Sequence, residues 1–349
     1  MASRPLTEAE FTRRVLIVAA IAALMWAVLH LGPVLLLIFG AVLLALVLRM
    51  IAEVLEHYLK LPPRLALTAA PLLVAALLIA VGWLFGGMLR EQAGEMVDRL
   101  REAWKYFQEQ IGITDLDERL LEMLEQAGPG GGMVASVGRA ATSAIGVLAH
   151  VLIVIVGGVY FAAQPQLYRD GLIHMLPQGA RPNAERTIDA TGQALRLWLL
   201  GQLMAMGLVG ALTALGLWLV GVPSAFALGL LAGLLEFVPF IGPWLAAIPA
   251  VMIALSVDFN TALYAALVII VVQQIESNLI TPYVAHRMVD LPMALTLFAI
   301  IAFTLLFGIP GLLFAAPLTV ATVVAVKSLW IRETLGEETD VPGEDNGAS

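Results

Sequence analysis

Between Pro223 and Val326 the chain lays down two apolar runs of one design, each opening at a proline, breaking at proline and glycine, and resuming. The first reads SAFALGLLAGLL-E-FVPFIGP-WLAAIPAVMIAL and the second MALTLFAIIAFTLLF-GIPG-LLFAAPLTVATVVAV. A helix rising ~1.5 Å per residue crosses ~30 Å of hydrocarbon in about 20 residues, so each run is too long for a simple span. Broken backbone at membrane depth is tolerated only where protein or a water-lined cavity satisfies the freed amide groups. Matching breaks in two parts of a chain therefore point to a transport site.

Simpler apolar segments surround these runs. Val15 to Leu31 and Pro33 to Leu48 read as a helical hairpin turning at Gly32-Pro33, and Leu65 to Leu89 as a third span carrying a Gly82-x-x-x-Gly86 face. Ala140 to Ala163, Leu197 to Val220 and Ala262 to Ile280 give three more spans. Arg13 and Arg14 flank the first span as an uncleaved cytoplasmic anchor. Arg49, Lys60 and Arg64, then Arg169, Arg181, Arg186 and Arg196, place their loops in the cytoplasm as well. From Arg90 to Ala127 apolar residues recur at three and four among charges, which predicts amphipathic helices outside the membrane packed on the chain itself or on other subunits. Gly128 to Gly132 reads as a hinge, not as a phosphate cradle, because no strand precedes it.

The expected fold is an all-α polytopic membrane protein of about eight membrane segments, two of them broken or re-entrant helical hairpins in an inverted repeat. Its expected divisions are a three-span region (1–89), the amphipathic insertion (90–139), the fourth span with its connection (140–196), a transport core (197–330) and an unstructured acidic tail (331–349). If each broken run enters and leaves on one face, the first hairpin dips in from outside and the second from inside. The rival reading makes each a single kinked crossing, with Tyr283 to Asp290 outside. Both readings put both termini in the cytoplasm.

Composition narrows the function. Of the 349 residues 60% are hydrophobic and 13% charged, roughly half the charged share usual in soluble domains. The chain has no cysteine, which excludes disulfides and thiolate chemistry, and its five histidines show no pair at ligand spacing. No metal or other cofactor is expected. A net charge of −8 argues against nucleic acid as partner, and no phosphate-binding G-x-x-x-x-G-K-[ST] loop is present. Nor is there a nucleophile–base or HExxH arrangement, so an enzyme is not expected.

The candidate chemistry lies in a few polar residues within apolar surroundings. Glu236 stands at the break of the first run, where an isolated carboxylate costs several kcal/mol unless it meets water, a partner or a proton. It is the leading candidate for an ion or proton site, against the alternative of capping freed amides at the turn. Gln273, Gln274, Glu276 and Asn278 crowd the end of the Ala262 to Ile280 span, with Gln274 and Asn278 on one helical face and Gln273 and Glu276 flanking it. They line a pathway or serve as interhelical glue. Gln202 lies at comparable depth in the fifth span. His150 reads as an interhelical hydrogen-bonding group.

Three segments, EFVPFIGPWLAAIP, QQIESNLITP and LPMALTL with GIPGLLFAAPL, resemble in order and spacing the successive signatures of the autoinducer-2 exporter family. The resemblance extends over nearly the whole chain. It implies that Pro239, Gly242 and Pro243 form the first turn, that Gln274, Glu276, Asn278 and Pro282 belong to the second signature, and that Gly308, Pro310 and Gly311 make the second break. Phe240 stands where a tyrosine is frequent. The resemblance further implies a homo-oligomeric permease of the bacterial inner membrane that exports a small polar solute such as a quorum-sensing signal, or exchanges sodium for protons. A non-transporting membrane scaffold is the expectation from another class.

Overall fold

The computed structural model describes residues 8–77, 79–80, 82–83, 133–280 and 292–343. The amphipathic helices expected from Arg90 to Ala127, the Gly128 to Gly132 hinge, Gly86 and Pro282 lie outside the described residues. Among those described, every regular element is helical: α1 (Glu8–Leu59), α2 (Pro63–Leu77), α3 (Met133–Ala163), α4 (Pro165–His174), α5 (Arg181–Leu219), α6 (Ala225–Leu235), α7 (Gly242–Leu255), α8 (Phe259–Ile275) and α9 (Met293–Ala325). Wider π turns extend α8 over Glu276–Ile280 and α9 over Val326–Arg332. Four stretches are long and apolar enough to cross a membrane, at His30–Leu59, Gln178–Leu219, Phe259–Leu279 and Ala294–Arg332. The end of α3 (Ala149–Ala163) with α4, bent by 88°, would make a fifth if the pair is one span. This is fewer than the eight membrane segments expected of the whole chain.

The turn expected at Gly32-Pro33 is absent. α1 runs through Pro33 as one helix of 52 residues, about 78 Å long. Its bare glycine surfaces are filled from α9: a Cβ at Gly32 would lie 2.6 Å from the Phe307 ring, and one at Gly40 would lie 2.9 Å from Phe314. Tertiary packing of this kind outweighs the local cost of a proline, which removes one helical hydrogen bond and favours a kink but does not force a reversal. α3 packs along α1 in the same direction. Gly157 faces Ala41, Gly158 faces Leu44, and Arg49 Nε donates 3.0 Å to the Ala162 carbonyl near the end of α3.

The first broken run is a true reversal. α5 and α6 run antiparallel in near backbone contact, because a Cβ at Gly233 would lie 2.5 Å from the Met206 carbonyl oxygen, and the same close fit sets Gly229 on Ala214. α7 then returns. Ala250, Ile253 and Ala254 near its end pack with Val222, Ala225 and Leu228 near the start of α6, so both ends of the run lie at one level. With 11 and 14 residues, α6 and α7 reach only about 16 and 21 Å, short of a full crossing. The run thus folds back on itself.

The second run breaks at Gly308, whose φ of 67° and ψ of −146° lie outside helical space. Gly311 then sits directly on the carbonyl of Phe303, eight positions earlier, a contact impossible within one continuous helix. The half after the break packs with α1 and α5 around Leu43, Trp198, Leu199, Ala316, Val320 and Val324.

The tail departs from the disordered end expected after Arg332. Residues 333–343 are folded against α5 and α9, and Val341, 1% exposed, enters the core beside Ala190 and Ala194. Burying one such side chain contributes about 1.5–3 kcal/mol, enough to order a segment whose remaining composition is polar. At the same end Arg169 pairs with Asp170, Glu185 and Asp189 at 3.2, 2.7 and 2.6 Å, Arg186 with Glu333, and Arg196 with Glu53.

α8 starts at an N-cap. Asp258 accepts from the Thr261 amide at 2.8 Å and from its hydroxyl at 2.7 Å, and these bonds hold its carboxyl below the usual aspartate range. The contribution is complete above the unfolded value and disappears as pH falls through the lowered folded one. Asp258→Ala is expected to lower the unfolding temperature in detergent at neutral pH, with the gap from wild type closing at strongly acidic pH. Gly233→Leu must displace backbone and is expected to cost about 1–3 kcal/mol or more, read as a loss of thermal stability.

Candidate functional site

α6 is apolar throughout and ends because the chain must turn before α7. Its last helical bond is Glu236 N to the Ala232 carbonyl at 3.0 Å. The turn closes through Ile241 N to Pro239 O at 2.8 Å and Gly242 N to Val238 O at 2.9 Å. Phe240 takes φ 66°, the left-handed region that a bulky side chain rarely adopts. Gly242 sits directly on the Leu235 carbonyl, where a side chain would collide with backbone. Pro239, Gly242 and Pro243 thus form the turn that the resemblance implies.

This geometry carries Glu236 inward. Glu236 is 5% exposed, and its Oε2 has no hydrogen-bond partner. Its backbone carbonyl, freed by the end of the helix, accepts 2.8 Å from Gln202 Nε2 on α5. One turn earlier on α5, Trp198 meets Phe237 edge to face at 5.8 Å. Two side chains of α5 therefore grip the turn, and neither of them binds Oε2 of the carboxylate.

Glu236 lines a recess among α5, α6, α7 and α8 with a cavity volume of about 10 Å³, the space of roughly one water molecule. Thr213, Pro243 and Gln273 share the lining, with alanines and Val209, Ile269 and Val272 making up the rest. Residues 269, 272 and 273 are the helical face that α8 turns to the site, and Glu276 follows one helical turn beyond Gln273.

The stripe divides accordingly. Gln274 and Asn278 are exposed on another face, and Asn278 Nδ2 donates to the Gln274 carbonyl at 2.8 Å and to its Oε1 at 3.1 Å. They are brought to each other, not to Glu236. Gly308, Pro310 and Gly311 do not line the recess either; their turn lies beside α1 through Phe307 and Gly32. The recess lies between the first tip and α5 and α8, and the second tip does not line it. Among the described residues no three His, Asp or Glu side chains gather as metal ligands.

Two contributors escape a reading of polar residues within apolar runs. Thr213, 5% exposed, looks like ordinary span composition until α5 is seen to face the recess. Gly229-x-x-x-Gly233 is a legible small-residue motif in the right helix, and its spacing marks the face that approaches α5.

The family profile described as AI-2E family transporter matches residues 15–330. "Putative transport protein YrrI" of Bacillus subtilis (strain 168) is 24% identical over 160 residues, 46% of this chain and 45% of that protein. "Putative transport protein YueF" of the same organism is 23% identical over 220 residues, 61% of this chain and 58% of that protein. A "Putative transport protein" of Methanothermobacter thermautotrophicus is 31% identical over 90 residues, 26% of this chain and 27% of that protein. The matches to the first two relatives span about half of their length.

Gln202→Leu is expected to loosen the turn and make a cysteine at Phe237 label faster with maleimide. Gln274→Ala and Asn278→Ala are expected to leave that rate unchanged.

Proposed function

The chain belongs to the AI-2E transporter family, and from that premise we propose that it is a secondary transporter in which Glu236 alternately holds a proton and a small monovalent cation. The observation that carries this reading is the unpartnered Oε2 of a buried carboxylate in a recess with room for about one water. A carboxylate in apolar surroundings is tolerated when it carries a proton or pairs with a cation, and competition of the two for one oxygen is a means of exchange. Gln202 and Trp198 hold the backbone of the turn, which leaves the carboxylate free to change partners. Thr213 and Gln273 offer neutral oxygens to a cation that has shed its water.

Export of a small organic solute, which the resemblance also implies, needs a larger opening than this recess gives. The reversal of the first run supports a hairpin dipping into the membrane from one side, with α8 crossing next. The basic residues at the Arg169 to Arg196 end favour cytoplasmic placement of that end and of the folded tail. The cytoplasmic membrane is the proposed location, and assembly with further copies of the chain remains part of the proposal through family resemblance alone.

The test is proton movement in proteoliposomes holding an internal pH dye, with sodium, lithium or potassium added outside. Wild type is expected to alkalinise the lumen as the cation enters, or acidify it under the reverse gradient, and Glu236→Gln to lose this signal. A signal retained in Glu236→Gln removes the carboxylate from the path. Absence of a signal in both, with efflux of a labelled furanone from wild type, moves the assignment to solute export.

A further inference from the structure

The last described residues form a joint between two helices that the transport reading leaves without a role. Val341 is buried among Ala190, Ala194 and Leu195 of α5 and Val324 of α9. Gly343, at φ 87°, lies directly on the Ala190 carbonyl. Lys327 Nζ donates 3.1 Å to the Asp340 carbonyl, and Arg332 donates 2.9 Å to that of Thr339. At the start of the segment Glu333 takes bonds from Asn183 at 2.6 Å and Arg186 at 3.2 Å, beside a buried Thr187–Ser328 hydroxyl bond of 2.7 Å. α5 and the end of α9 are therefore tied twice, once by their own side chains and once by the chain passing across them.

The second tie is slight. Val341 is its one fully buried side chain, and the flanking residues Thr334 to Glu338 are exposed. A segment held by one fully buried apolar side chain, a close glycine contact and hydrogen bonds that are exposed or only partly buried belongs to the low-stability end of a structure and opens without global unfolding. It rests on the helix that also carries Gln202, Val209 and Thr213. The anchor point at Ala190 and the grip at Gln202 are about 18 Å apart along α5.

We propose that residues 333–343 are a releasable strap that holds α5 against the end of α9 and thereby keeps the Glu236 recess in the narrow form seen here. Undocking Val341 removes one of the two ties between the first turns of α5 and α9, leaving the Thr187–Ser328 bond, and the loosening reaches the recess through the same helix. The strap acts on the opening of the recess whatever solute the recess admits.

The native absence of cysteine allows a direct test on the full chain in proteoliposomes. Maleimide labelling is measured for Val341→Cys, for Glu338→Cys as the exposed reference, and for Ala66→Cys in the separate core of α1, α2 and α3. Val341→Cys is expected to label about tenfold more slowly than Glu338→Cys and about tenfold faster than Ala66→Cys. A rate equal to that of Glu338→Cys shows an undocked tail, and one equal to that of Ala66→Cys shows no release short of unfolding; either overturns the proposal. Adding Val341→Ser is expected to speed labelling of Gln273→Cys in the recess severalfold while Ala66→Cys stays unchanged. No change at Gln273→Cys, or an equal rise at both positions, overturns the link between strap and recess.

Discussion

Everything at the site depends on how closely α6 approaches α5. Gly233 on the Met206 carbonyl and Gly229 on Ala214 bring the two backbones together, leaving no room for a side chain at either glycine. In apolar surroundings such contact is a main source of helix association, since there is no hydrophobic drive to separate helices from lipid. The consequence is positional. With α6 fixed against α5, the residue that follows it, Glu236, is delivered to the level of Gln202, and its carbonyl, freed by the turn, finds that side chain. The same approach walls in Glu236 between α5 and the returning α7.

Within this frame polar groups are sorted by whether they are held. The broken backbone is satisfied by turn hydrogen bonds and by Gln202. Gln274 and Asn278 satisfy each other, and Asp258 caps α8. Glu236 Oε2 is left without a protein partner at the end of this sorting, in a structure whose other buried side-chain oxygens and nitrogens among the described residues are satisfied. Leaving a buried carboxylate oxygen unpaired is costly, and that cost is the physical argument for a proton or cation as its missing partner.

The sequence was most informative where chemistry is abrupt. A lone glutamate before VPFIGP, with proline and glycine flanking it, located both the turn and its carboxylate. Gln202 was legible as a polar residue in a span, although its grip on a backbone carbonyl required the position of α6. Helical periodicity puts Gln274 and Asn278 on one face of α8 but cannot say which face meets a neighbour; packing turns Gln273 toward the recess. Gly32-Pro33 misled because its local preference for a break was overridden by the aromatic rings of α9, contacts hundreds of positions away in sequence. The tail misled because acidic composition concealed one valine with a socket waiting for it.

In the proposed exchange Glu236 gives up one small positive partner for another. Infrared difference spectroscopy of the lipid-embedded protein, recorded as sodium replaces an impermeant organic cation, reads this directly. Loss of a protonated-carboxyl stretch with gain of a carboxylate band is expected in wild type, both absent in Glu236→Gln. The same difference spectrum in wild type and in Glu236→Gln would contradict it.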